Sequence, residues 1–207
     1  MKAKLKMGVA SAVVAAATAV GVGVAAQVDA SGWKARATLR VADGTEIGQV
    51  TFHGKRNDTA VRVKLDHLPA NWATDAFHGF HIHANNPGPG AGCVADHRQA
   101  PNLWFVSAGG HWKTEGQDHA GHHGDMPSVL VNADGSAEME FVTGRFERSA
   151  IVGRAVIVHA GADNFGNVPV GAEANQYTAN SEAATTATKN TGNAGDRLAC
   201  GVIERRR

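Results

Sequence analysis

Three stretches of this chain alternate polar and apolar residues almost without a break. They are residues 34–42 (KARATLRVA), 46–54 (EIGQVTFHG) and 59–65 (TAVRVKL), separated by Asp43-Gly44 and by Arg56-Asn57-Asp58. Successive side chains of a strand point to opposite faces, so this alternation marks half-buried strands. The short turn signals between them join the strands as hairpins. Further strand-like runs occupy 77–83 (FHGFHIH), 128–132 (SVLVN), 136–142 (SAEMEFV), 151–159 (IVGRAVIVH) and 197–203 (RLACGVI). Beyond residue 30, no ten-residue window shows a convincing 3.6-residue period. Two stretches, 84–127 and 160–196, lack periodicity and read as long loops, which inside a compact domain are usually functional. The pattern predicts an all-β fold: an eight-stranded antiparallel sandwich or flattened barrel with two long loops.

The first 30 residues stand apart. Lys2, Lys4 and Lys6 precede an uncharged Ala/Val-rich run from Gly8 to Ala26, followed by small-residue cleavage sites after Ala26 and after Ala30. Basic, apolar and small-residue segments in that order read as an export signal peptide, with an uncleaved anchor as the alternative. The expected organisation is residues 1–30 as signal and 31–207 as one domain, exported to the cell envelope, the periplasmic space or the medium. The mature domain has no stable membrane association on this reading. The formal charge of the whole chain is +1, which excludes a strongly basic nucleic-acid binder. Export also bears on Cys93 and Cys200, the only two cysteines. Two cysteines in an oxidising compartment pair, the alternative being two buried free thiols.

Histidine is the composition's anomaly. Of 11 histidines, eight lie between His78 and His123. His81 and His83 are two apart on a strand, so both rings reach one side, whereas His78 has the opposite parity and reads as a core side chain. The loop HWKTEGQDHAGHHGD (111–125) offers His111, His119, His122, His123 and Asp125. Three histidines and a carboxylate can close a tetrahedral zinc site. His159 ends a strongly apolar strand. Imidazoles without thiolates suit copper and zinc.

The segments GFHIH (79–83), SAGGHW (107–112), VIVHAGADNFG (156–166) and TGNAGDRLACGVI (191–203) resemble the signature segments of secreted copper/zinc superoxide dismutases. The resemblance covers about residues 34–203 and is of a bacterial, actinobacterial-like type. It implies an eight-stranded Greek-key β-barrel. It also implies copper ligands His81, His83, His111 and His159, with His111 bridging to a zinc held by His119, His122 and Asp125. Cys93 and Cys200 match the family's disulfide. Arg197 matches the arginine that draws superoxide to copper, Thr191 the residue facing it, and Asp163 the carboxylate tying a copper histidine to a zinc histidine.

The chain departs from the family pattern in three places. DHRQAPNLWFV enlarges the loop between Cys93 and His111. The His119–His122 gap is short, with His123 a competing ligand. The acidic pair of the family's second loop is not clear here, where Glu182 and Lys189 offer charge. The resemblance implies dismutation of superoxide, with a copper-only dismutase and a non-catalytic exported copper-binding module as alternatives. It leaves the oligomeric state open.

Overall fold

A computed structural model describes residues 32–66, 68–86, 92–165 and 182–206. The expected signal segment lies outside the described residues. Among the described residues nine strands form: β1 (Lys34–Arg40), β2 (Glu46–Lys55), β3 (Asp58–Leu65), β4 (Ala76–His78), β5 (Phe80–His83), β6 (Val129–Val131), β7 (Ala137–Thr143), β8 (Ala155–His159) and β9 (Arg197–Arg206). Seven make one curled antiparallel sheet in the order β5-β8-β9-β1-β2-β3-β7, and β4 pairs with β6. The last strand returns to lie beside the first, as in a Greek key. The alternation within 34–65 becomes the β1-β2-β3 meander, with Ala37 opposite Val50 and Val50 opposite Val63. Those three side chains are fully buried, along with Leu39, Phe52, Val61, Phe80 and Ile82. Fully burying one such aliphatic or aromatic side chain stabilises by roughly 1.5–3 kcal/mol.

The run 77–83 forms two strands rather than one. Its break is Gly79, whose amide donates to Gly161 O at 2.7 Å and whose carbonyl accepts from His159 N at 2.8 Å. A Cβ at Gly79 would meet Asp163 Oδ1 at 2.9 Å and collide with Ala194. The backbone therefore switches sheets where it passes close beneath the second loop. The strand expected over 151–159 starts only at Ala155, because Arg148–Ile151 forms a 3-10 turn and Gly153 takes a positive φ. Contrary to the sequence reading, residues 160–196 include an α-helix, α1 (Glu182–Thr191). Its sequence, EAATTATKNT, has no large apolar stripe to betray it. Instead Thr188 is fully buried and its Oγ1 accepts from Asn193 Nδ2 at 2.9 Å.

Cys93 and Cys200 form a disulfide closing a separation of 107 residues. It ties the long loop after β5 to the middle of β9. In the chain-entropy treatment, a loop that long contributes roughly 4–5 kcal/mol. Exchanging both cysteines for serine should lower the free energy of unfolding by about that amount in denaturant melts. Unchanged melts would show that the bridge contributes nothing.

Candidate metal centre

The site is built on the free edge of the large sheet. On β5, Phe80 and Ile82 face the hydrophobic core, so His81 and His83 face the other way. The edge is covered by the loop that follows the disulfide: Ala84 N donates to Gly110 O, Trp112 N to Ile82 O, and Ile82 N to Gly124 O, at 2.8–2.9 Å. Covering an edge strand satisfies its unpaired backbone groups. Here it also brings His111 opposite His83 and Asp125 opposite His81. The neighbouring strand β8 delivers His159 at a register shift, paired with Arg197 of β9.

Four ring nitrogens converge. The ligating atoms of His81, His83, His111 and His159 all lie within 4.8 Å of one another, and all four side chains are buried. Each ring is fixed through its other nitrogen. His83 Nδ1 lies 2.8 Å from Gly109 O, His159 Nδ1 3.0 Å from Gly195 O, and His81 Nε2 2.9 Å from Asp163 Oδ1. His111 Nδ1 lies 3.1 Å from Asp125 Oδ1. That leaves His81 Nδ1 and His111 Nε2 buried without a hydrogen-bond partner, and it leaves His83 Nε2 facing His159 Nε2 at 3.3 Å. Buried nitrogens that meet only one another are costly in a protein without a cation. Four imidazoles with their outer nitrogens anchored are instead the donor set of a copper site.

A second group adjoins the first through His111. Asp125 Oδ1 lies 3.1 Å from His111 Nδ1 and 3.3 Å from His122 Nδ1, and the two Nδ1 atoms are 3.4 Å apart. Ligating atoms of His81, His111, His119 and Asp125 also fall within 4.8 Å of one another. His122 is fully buried beside them. His123 turns away: its ring packs on Trp112 at 5.2 Å and its Nδ1 reaches Arg145 O at 3.3 Å. His119 is held from behind. A Cβ on Gly192, which has φ 59°, would overlap its ring, and His119 N donates to Lys189 O at 2.7 Å. Asp163 Oδ1 also lies 3.5 Å from His119 Nε2, so one carboxylate spans both groups. Ser128, which the sequence reading did not single out, donates its hydroxyl to Asp163 Oδ2 at 2.8 Å. His78 is buried on the far side, its ring nitrogens 2.8 and 3.0 Å from the carbonyls of His159 and Ala73.

A pocket of about 350 Å³ opens over the first group. It is lined by His83, His111, His159, Thr191, Arg197 and, unforeseen from sequence, Lys113. Arg197 donates to Phe105 O and Gly109 O, each at 2.7 Å. Burial lowers its pKa from the ordinary arginine value, yet it stays cationic at neutral pH. Lys113 Nζ donates to Asn190 Oδ1 at 3.2 Å, a neutral partner, so its charge remains uncompensated by that contact. Lys189, by contrast, pairs with Asp118 at 3.1 Å.

Burial dominates the electrostatics of the rings. It pushes the pKa values of His81 and His83 well below 6.5, with neighbouring imidazoles adding to the effect, and that of His159 to about 3. The His111 pKa is also lowered by burial, against the opposing pull of Asp125. For Asp125, burial disfavours the charge, but hydrogen bonds to His111 and His122 outweigh it and hold the carboxyl far below 3.8. The metal-free folded chain therefore keeps these rings neutral where the unfolded chain, near pKa 6.5, takes up protons. Above the unfolded value there is no penalty; below it, stability falls as pH falls toward the folded-state values. Each ring contributes up to about 1.4 kcal/mol per pH unit in that window. Denaturant midpoints of metal-free protein should drop steeply between about pH 6.5 and about pH 4.5. A flat midpoint there would show that the rings are not buried in the neutral form.

Comparisons with known proteins agree with this geometry. The family model for copper/zinc superoxide dismutase (SODC) matches residues 46–203. The superoxide dismutase [Cu-Zn] of Mycolicibacterium paratuberculosis is 33% identical, over 88% of this chain and 79% of that protein. The Mycobacterium tuberculosis protein of the same name is 33% identical over 80% of this chain and 68% of its own. The Deinococcus radiodurans one is 30% identical over 74% and 86%. Among solved structures, the crystal structure of the clock protein EA4 superposes with a TM-score of 0.57 at 26% identity, covering 83% of this chain and 93% of that one.

Proposed function

The chain belongs to the copper/zinc superoxide dismutase family and converts superoxide to dioxygen and hydrogen peroxide; on that premise we propose which of its residues hold the metals and which handle the anion. His81 Nδ1, His83 Nε2, His111 Nε2 and His159 Nε2 hold copper. His111 Nδ1, His119, His122 and Asp125 hold zinc. The observation that carries the assignment is the division of each ring: one nitrogen anchored, the other turned into the cluster. His81 already spends Nε2 on Asp163 and directs Nδ1 at the first group. His122, within 3.4 Å of both His111 Nδ1 and Asp125 Oδ1, therefore completes the second. Copper, when bound, would supply the one-electron chemistry that dismutation needs, and zinc would supply fixed positive charge.

The chain's own residues do the rest. Arg197 and Lys113 put positive charge at the mouth of the pocket, which attracts a small anion and holds it there. His111 can hold a proton at Nε2 when that nitrogen is not bound to metal, and pass it to the peroxide product as a general acid. Asp163, steadied by Ser128, keeps His81 and His119 in the tautomers that leave their Nδ1 atoms as donors. Two protons and two superoxide ions give one dioxygen and one hydrogen peroxide, so the balance closes without another reactant.

Export of a mature domain starting at Gln27 or Ser31 belongs to the same reading. Its support is the Lys-rich start, the apolar run and the two small-residue sites. The test of the whole assignment is metal analysis of exported protein together with superoxide turnover. One copper and one zinc per chain with turnover fit it. Copper alone with full turnover would remove the zinc assignment, and bound copper without turnover would favour a copper-binding module.

A further inference from the structure

Arg197 is aimed by backbone, and that backbone belongs to the enlarged loop between Cys93 and His111. Its terminal nitrogens donate to the carbonyls of Phe105 and Gly109. Gly109 adjoins the histidine cluster directly, through His83 Nδ1. Phe105 does not, and its conformation is unusual. It sits at φ 53°, ψ 21°, in the left-handed region. Glycine or asparagine adopts that conformation with little strain; a bulky aromatic residue rarely does. Such a residue persists only where its surroundings over-determine it.

The surroundings do so here. The loop around Phe105 is open to solvent: Leu103 is 53% and Val106 56% exposed, whereas Phe105 itself is 2% exposed. Its ring packs with Ala108, Ala155, Ile157 and Cys200 into a small core separate from the main one. That core joins the loop to β8, β9 and the disulfide. The Phe105 amide donates to Val94 O at 3.1 Å, and its carbonyl accepts from Ala108 N at 3.0 Å as well as from Arg197. The ring is thus the anchor that fixes the peptide plane, and the left-handed turn is what points the carbonyl toward the guanidinium. A glycine would give the turn but no anchor.

We propose that Phe105 is a positioning residue for Arg197, its buried ring and left-handed backbone together fixing the carbonyl that holds the guanidinium at the pocket mouth. The proposal rests on the reading of Arg197 as the cation that receives the anion. It assigns a role in anion handling to the stretch by which this chain enlarges the loop.

A double-mutant cycle on the metal-loaded protein tests it, with Phe105→Gly, Arg197→Ile and the pair combined. Azide, a small monovalent anion, is titrated onto each protein and its binding followed by visible absorption, alongside superoxide turnover and metal content. Phe105→Gly keeps the turn and removes the ring. It should weaken azide binding and lower turnover by about three- to tenfold at full metal content, since small misplacements of a catalytic group carry large kinetic effects. Added to Arg197→Ile, it should cost nothing more. Phe105→Leu should keep most of the activity. If the glycine variant does not fold, Phe105→Leu goes through the same cycle, with a small loss alone and none beside Arg197→Ile. Equal losses in both backgrounds would overturn the proposal and leave Phe105 a core residue only. So would wild-type azide binding in Phe105→Gly while Arg197→Ile loses it, with the Arg197 reading intact. Wild-type azide binding in Arg197→Ile itself would instead overturn that reading, and the proposal with it.

Discussion

Replacing His83 with alanine should abolish superoxide turnover while leaving the protein folded. His83 is fully buried, with one nitrogen on Gly109 O and the other facing His159 Nε2 at 3.3 Å. Alanine removes a donor from the four-nitrogen group and frees the Gly109 carbonyl that also holds Arg197. Ligand and anion-holding cation are disturbed together, so the loss should be at least about a thousandfold, or some 4 kcal/mol in barrier terms. Bound copper should fall with it. The metal-free fold should survive, because the main core lies on the opposite side of β5 and keeps Phe80 and Ile82. His97→Ala is the matched control: His97 is exposed on the enlarged loop, and its loss should leave turnover unchanged. The measurements are superoxide decay, copper per chain and denaturant midpoint. A His83→Ala protein with full copper and full turnover would remove the first histidine group from the mechanism.

Why His83 could be singled out from sequence, and Lys113 could not, follows from how each is placed. His81 and His83 owe their position to strand parity, a local rule written in FHIH. The β1-β2-β3 meander owes its register to the same rule, and its buried alternate positions were legible for that reason. The break at Gly79 was not, because its cause is the second loop, where Gly161 takes the Gly79 amide and Ala194 leaves no room for a Cβ. Helix α1 was hidden similarly: its anchor is a buried threonine hydroxyl, and no periodic apolar stripe announces it. The outer partners of His83 and His159 are backbone carbonyls, Gly109 O and Gly195 O, and any residue type supplies a carbonyl. Ser128 contributes one hydroxyl to Asp163 from 35 residues away. Lys113 reaches the pocket because the loop 109–126 folds back along β5. Residue types that ligate were readable even in the loops; the partners that the loops' path brings to them, Ser128 and Lys113 among them, were not.

Arg197→Ile should lower turnover by roughly ten- to a hundredfold, the equivalent of about 1.4–2.8 kcal/mol of anion stabilisation. The guanidinium is held by two carbonyl acceptors at 2.7 Å, faces no carboxylate in those contacts, and lines the pocket over His83, His111 and His159. Its charge is thus directed at the substrate rather than at a structural partner. Arg197→Lys keeps the charge but not the planar fork that satisfies both carbonyls at once, so it should retain part of the activity. Salt dependence separates charge from shape. Screening over about 8 Å near 0.15 M salt weakens attraction of an anion from solution. The wild-type rate should therefore fall as ionic strength rises, the Arg197→Lys rate should fall with nearly the same slope, and the Arg197→Ile slope should be shallower without vanishing. The remainder belongs to Lys113, whose contact with Asn190 leaves its charge in place. Lys113→Gln should consequently flatten what slope Arg197→Ile retains, with copper and zinc content unchanged. Equal slopes in wild type and Arg197→Ile would mean that Arg197 acts on the loop through its two hydrogen bonds and not on the anion through its charge.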